Sequence, residues 1–276
     1  MRDLLPVDMK DVIFATFGYG ADVVKLKTMA SSNRIRDHGK SLADAIMNMT
    51  TLPEHASMPI FVVAHSLGGL VAEQAYLLAR DMPELRTVYE RMRGMVFLGT
   101  PHGGSGLAST GTVVSRLVNV FRRSNTRLVE ELHPDADTSN AIGHDFQVEV
   151  RNQKEPLLLY YFFEERACTG VGKIVEKESA IVRGFPYGSL DANHMDMCKY
   201  DSASNDNYRK LLAVLQGFAA RSAAKELKGT ASASTQGAED RGTGGVSMTW
   251  NGNTYAKNAI SGISSSGPAP INLTFS

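Results

Sequence analysis

Five short, nearly continuous apolar runs, set apart by stretches with helical spacing, confine this chain to a small set of folds. The runs are "DVIFATFGY" (11–19), "MPIFVVAH" (58–65), "GMVFLGT" (94–100), "PLLLYYFFEE" (156–165) and "SAIVRGF" (179–185). A strand with one wet face alternates apolar and polar residues, whereas a run that is apolar throughout belongs to a strand covered on both faces. Between the runs, "SNRIRDHGKSLADAIMNM" (32–49) and "LGGLVAEQAYLLARDM" (67–82) carry apolar residues at helical intervals. Strand, helix and strand in succession mean parallel strands joined by helical crossovers, hence an α/β fold with a mostly parallel sheet flanked by helices. The piece from 107 to 150 is too long for a plain connection and is expected to form helices that partly roof the sheet edge. A last helix, beginning at "NDNYRKLL", closes the globular part near residue 228.

The expected organisation is therefore a folded domain over 1–228, a flexible linker over 229–245 and a low-complexity tail over 246–276. The linker, "GTASASTQGAEDRGTGG", is too poor in apolar residues to offset the entropy of ordering. The tail differs again, with Trp250, Tyr255, Ile260, Ile263, Ile271, Leu273 and Phe275 spread among Asn, Ser, Thr and Gly. It has β-forming capacity without a core of its own. Lysine plus arginine and aspartate plus glutamate both number 29, so no basic surplus argues for nucleic acid. No stretch has the roughly 18 apolar residues that a membrane helix needs, and the charged start "MRDLLPVDMKD" is unlike a secretion signal. The expectation is a soluble cytoplasmic protein. Cys168 and Cys198 fit no metal-ligand spacing and receive no role; neither a metal nor a cofactor is expected.

In "FVVAHSLGGLV" a strand ends, turns within a few residues, and becomes a helix at once. Such a corner lifts Ser66 clear of the sheet and aims the first amides of the helix at a point where negative charge develops on a substrate carbonyl. The Leu67 N–H is the first oxyanion donor. Small neighbours suit the turn: Gly68 follows the serine, Ala64 stands where glycine is usual, and His65 completes the corner. A serine hydroxyl needs a base, which in this architecture follows the acid in chain order. Among seven histidines only His194, in "LDANHMDMCKY", follows the last strand on a loop leading into the final helix. The acid belongs at the end of an intervening strand, and "LLLYYFF" runs into Glu164 and Glu165. Successive side chains face opposite ways, so one of the two points at the site. Glu164 is the choice, with Glu176, Glu178 and Asp191 closer to the histidine in sequence.

These residues, with "FGYGADVV", "SNRIRDHGKSLADAI", "FLGTPHGGS", "EKESAIV" and "SNDNYRKL", resemble the SesB-type lipase-like hydrolases of fungal incompatibility and immune-receptor genes, over about residues 1–218. The resemblance implies an α/β-hydrolase domain with a Ser66, acid and His194 triad, and an ester or lipid-like substrate. It also implies that the tail is an amyloid-forming motif for self-assembly or for meeting a receptor, which uncharged β-capable residues would permit. One departure concerns the strand and "HG"-type loop that usually open this family. That strand would lie between the runs at 11–19 and 58–65, and its loop donates the second oxyanion N–H. Without it the expectation is that the flanking strands close up and pair directly, because an open gap of about 10 Å exposes two rows of backbone groups. Either the enzyme is weakened, its fold serving as a signalling module assembled through the tail, or the chain begins too late.

Overall fold

The structure, a computed structural model, describes residues 1, 3–18, 32–55, 57–102, 112–113, 115–117, 119–120 and 136–236. Helix α1 (Leu5–Asp8) and α2 (Ser32–Thr50) precede strand β1 (Ile60–His65), which turns into α3 (Leu67–Asp81). The short α4 (Arg86–Arg91) leads into β2 (Met92–Leu98). After α5 (Ala136–Asn152) come β3 (Leu158–Glu164), α6 (Lys177–Ala180), β4 (Tyr187–Leu190) and α7 (Asp206–Gln236). The four strands form one sheet in the order β1-β2-β3-β4, every neighbouring pair parallel.

Apolar side chains leave this sheet on both sides, as the continuous runs require. Val62, Ala64, Met95, Phe97, Leu159 and Tyr161 join a core with α2, α3 and α5, while Val96, Leu98, Phe162 and Leu190 join a second core under α7. Alternation along β2 assigns its residues to the two cores in turn. The two layers and the sheet between them make a three-layer α/β domain of the kind that the sequence leads one to expect.

Three elements differ from the sequence expectation. "SAIVRGF" is not a strand: it holds the end of α6 and a turn, with Gly184 at φ +92. The last strand falls after that glycine and Pro186, in "YGSL", where chain-breaking residues have already ended the apolar run. Helix α7 continues to Gln236, eight residues beyond the expected end near 228, because "KGTASASTQ" contains no proline and its alanines favour helix.

The third difference concerns the run at 11–19. Residues 11–18 add no strand to the sheet; Thr16 alone is a bridge residue, and Val12 and Ile13 are 38 % and 50 % exposed. The segment is thus not one of the strands of the described sheet, which runs β1-β2-β3-β4. A cavity of about 360 Å³ is lined by residues 11–16 and by Ile60–Val63 of β1, which stands at the end of the strand order. The helices of both layers border this space, with Leu42 and Ile46 of α2 and Leu215 and Ala219 of α7 lining it. With both layers seated on the four-stranded sheet, the two flanks are held apart. Among the described residues no helix is long and apolar enough to cross a membrane.

Candidate active site

The turn from β1 into α3 has the geometry that its sequence demands. Ser66 sits at φ 54, ψ −131, the one residue other than glycine with positive φ among the described residues. Such a backbone costs about 1–3 kcal/mol and persists where the surroundings fix it. Here the Ser66 N–H donates to the Leu98 carbonyl at 2.9 Å, and its own carbonyl accepts from the Gly69 N–H at 3.1 Å. The side chain does not cap the helix, so the hydroxyl is free for another partner. Ala64 is fully buried at the end of the strand, and Leu67 and Gly68 are buried in the first turn of α3. The Leu67 amide belongs to the group of donors that a helix leaves unpaired at its start.

That partner of Ser66 is His194. Its Nε2 lies 2.9 Å from Ser66 Oγ, although 128 residues separate the two. Its Nδ1 faces Glu164 Oε2 at 3.7 Å. With the imidazole proton on Nδ1, Nε2 accepts the serine hydroxyl. Burial holds the His194 pKa well below the ordinary histidine value, and the neighbouring His65 pushes it further down. Glu164, 1 % exposed at the end of β3, is pushed up to about 7 by burial, against the pull of backbone amides at Val175, Ile174 and His194. Its Oε1 accepts the Val175 N–H at 2.7 Å. The 3.7 Å gap is longer than a hydrogen bond, and such contacts commonly tighten when substrate binds.

The remaining carboxylates are engaged elsewhere or face solvent. Glu165 and Glu178 are not buried, Glu176 pairs with Arg116 at 3.1 Å, and Asp191 pairs with Arg166 at 2.6 Å. His65 contacts His194 rather than Ser66 through its imidazole nitrogen. Its Nε2–H donates to the His194 carbonyl at 2.9 Å, and burial lowers its pKa to about 4, so it stays neutral and holds the histidine loop. His55 contacts the Met49 carbonyl and His144 is exposed beside Asp145, while His133 lies outside the described residues.

Two features escape sequence reasoning. Gly99, just past β2, has φ +58, and a Cβ there would lie 2.9 Å from Met197 Sδ and 3.0 Å from His194 Nδ1. Only a bare backbone lets the imidazole approach. Gly99→Ala is therefore expected to displace His194 and to cost about 1–3 kcal/mol, seen as a lower urea midpoint together with lost turnover. The second is a buried pair beneath the "GTPH" turn, where His102 Nδ1–H donates to Glu73 Oε1 at 2.7 Å. The pair spans 29 residues and joins α3 to the loop after β2, with Phe97 and Tyr161 set edge-on to the imidazole. Glu73→Ala strands a buried donor, and the expected loss is about 1–3 kcal/mol in denaturant unfolding. A glutamate in the second turn of a core helix is the available signal, since such residues are rarely buried unless paired.

No known protein-family model matches the chain. The chain is similar to Protein SERAC1 of Homo sapiens, 27 % identical over 163 residues, which is 57 % of this chain and 24 % of that protein. It is also similar to Protein SERAC1 of Mus musculus, 27 % identical over 159 residues (56 % and 23 %), and of Danio rerio, 26 % identical over 163 residues (57 % and 24 %). The chain thus matches about a quarter of the length of these curated relatives. The parallel sheet, covered by helices on both faces, marks an α/β domain.

Proposed function

We propose that this chain is a serine hydrolase that cleaves a carboxylic ester through an acyl-serine intermediate. One observation carries the reading: a serine on a strained strand-to-helix turn whose Oγ is 2.9 Å from the Nε2 of a buried histidine backed by a carboxylate. In this reading Ser66 Oγ attacks the ester carbonyl carbon while its proton passes to His194 Nε2. The imidazolium is stabilised by ionised Glu164, and the Leu67 N–H donates to the oxyanion. His194 then gives the proton to the departing alcohol, and water, activated by the same nitrogen, releases the acid. A fluorophosphonate probe and a p-nitrophenyl ester test it. The folded chain is expected to be labelled at Ser66 and to release p-nitrophenol, and a folded chain that does neither would overturn the reading.

Within this reading the substrate is lipid-like and the setting is fungal immune or incompatibility signalling, as the resemblance of the motifs implies. A second reading has a specific observation in its favour. The space beside β1 stands where a central strand and its oxyanion loop are expected, so the fold would serve as a catalytically impaired signalling module assembled through its tail. Residues 246–276 lie outside the described residues. Normal folding without probe labelling selects this second reading.

A further inference from the structure

The turn that holds the carboxylate of Glu164 is itself held from the other side. Residues 173–176 bend between the Cys168–Gly172 bridge and α6, and Ile174 and Val175 anchor them in the core at 0 % and 1 % exposure. The Val175 N–H donates to Glu164 Oε1 at 2.7 Å, and the Ile174 N–H draws the carboxyl pKa down in the same way. Two successive amides that face one carboxylate make a small anion-binding concavity. In a trans peptide the carbonyl points away from the N–H. The carbonyls of these same two peptides, on Lys173 and Ile174, therefore leave on the far side, where both meet one guanidinium. Arg116 Nη1 donates to them at 2.9 and 3.4 Å. The same nitrogen reaches Glu176 Oε1 at 3.1 Å, so Glu176 pins the guanidinium over the two carbonyls.

We propose that Arg116 is a positioning residue for the triad acid, acting on Glu164 across the peptide groups Lys173–Ile174 and Ile174–Val175. This role presupposes the hydrolase reading, in which ionised Glu164 backs His194. Each of the two peptides has a fixed positive charge at its oxygen and a carboxylate at its N–H, so its dipole is aligned with both. Hydrogen bonds in such a chain polarise one another, and the guanidinium strengthens the donors at the carboxylate end. A hydrogen bond to the charged form favours ionisation, so Arg116 works against the burial that pushes Glu164 up to about 7. Without it the carbonyls lose their partner, and the peptides are free to turn their amides away from the acid.

The placement of Arg116 is equally specific. Val113 and Leu117, in the helical residues around it, are 1 % and 4 % exposed in the core, which directs the arginine to the turn. Three other groups act on the Glu164 carboxyl: His194 at 3.7 Å, the Cys168 thiol, and Lys173 from within the turn. Lys173 favours the ionised form directly, whereas Arg116 comes from a separate element and acts through the carbonyls.

Arg116→Met keeps the aliphatic stem and removes the charge. Arg116→Lys keeps a cation, whose three donors match the three acceptors gathered at Nη1. The first measurement needs no turnover: the carbon-13 resonance of the Glu164 carboxyl, assigned by its loss in Glu164→Gln, is titrated in each folded protein. Arg116→Met is expected to raise the midpoint by about 0.5–1 pH, and Arg116→Lys to stay within about 0.3 of the parent. The second is the pH profile of kcat/KM on the p-nitrophenyl ester. Its rising limb is expected to move upward by the same amount in Arg116→Met, a loss of about 3- to 10-fold below pH 6. Far-UV circular dichroism checks folding, and Arg116→Gln replaces Arg116→Met if that variant does not fold. An unmoved carboxyl titration in the uncharged variant overturns the proposal. So does an equal displacement in Arg116→Lys, or a lower plateau with the limb in place, either of which would make Arg116 a packing residue only. A folded parent without turnover removes the hydrolase reading, while the titration still decides whether Arg116 acts on Glu164. Turnover with an unmoved titration removes the role of Arg116 and leaves that reading standing.

Discussion

Ser66→Ala is expected to lower ester turnover by about 10⁴- to 10⁶-fold and to remove all fluorophosphonate labelling, while the protein stays folded. In the proposed mechanism the hydroxyl is the attacking atom, and no neighbouring group replaces it. The side chain caps nothing, so its loss leaves no helix end unsatisfied. A companion substitution separates chemistry from structure. Ser66→Gly also ends turnover, but it relieves the φ 54 backbone and is expected to stabilise the fold by about 1 kcal/mol, read from the urea midpoint. Turnover that survives Ser66→Ala, measured on protein free of contaminating esterases, would sink the acyl-serine mechanism. A Ser66→Gly protein less stable than the parent would mean that the turn stores no strain.

The second large effect falls on Glu164, where activity and stability respond in opposite directions. Its folded pKa of about 7 stands above the ordinary 4.5 because burial disfavours the charge. A carboxyl with a raised folded pKa binds more protons in the native than in the unfolded state, so its contribution to stability is full below about 4.5 and is lost as pH rises through about 7. That displacement corresponds to about 3 kcal/mol at most. The proposed catalysis has the reverse slope, because in it only the ionised carboxylate supports the imidazolium. kcat/KM is expected to rise with pH through an apparent pKa near 7, belonging to the Glu164–His194 pair rather than to either residue. Glu164→Gln keeps an acceptor for the Val175 N–H but holds no charge. Turnover is expected to fall about 10³- to 10⁴-fold, while stability at pH 8 rises by about 2 kcal/mol. A variant as active as the parent would remove Glu164 from the mechanism. A variant less stable at pH 8 would show that burial imposes no penalty on the charge.

The parts of this molecule that follow from local pattern are legible in the chain, and those that follow from distant contact are not. β1, β2 and β3 carry nearly continuous apolar runs, and the "HSLGG" corner needs a strand behind it and a helix ahead, so Ser66 is readable from a short local stretch. His194 and Glu164 are readable from chain order, since each lies where a loop or strand end meets the sheet's carboxyl edge. "YGSL" is four residues with a glycine inside, which carries no periodic signal at all. The run at 11–19 has strand composition, but a strand needs a partner, and the neighbour that would supply one is missing from the described sheet. Glu73 and His102 look like a helix charge and a loop histidine until the fold brings them to 2.7 Å. Gly99 gives no warning, because what it must avoid is the side chain of His194, far along the sequence.

The bond from His65 to the main chain of His194 has a consequence for how the site adjusts. His65 and Ser66 are adjacent, so a displacement at the end of β1 carries Ser66 and His194 along together. Glu164 rides on β3, two strands away, and does not follow. The joint with play in it is therefore the contact between imidazole and carboxylate, at 3.7 Å, whereas the one between hydroxyl and imidazole is riveted. Whatever presses on the edge of the sheet tunes how firmly Glu164 grips His194, and leaves the grip of His194 on Ser66 as it was.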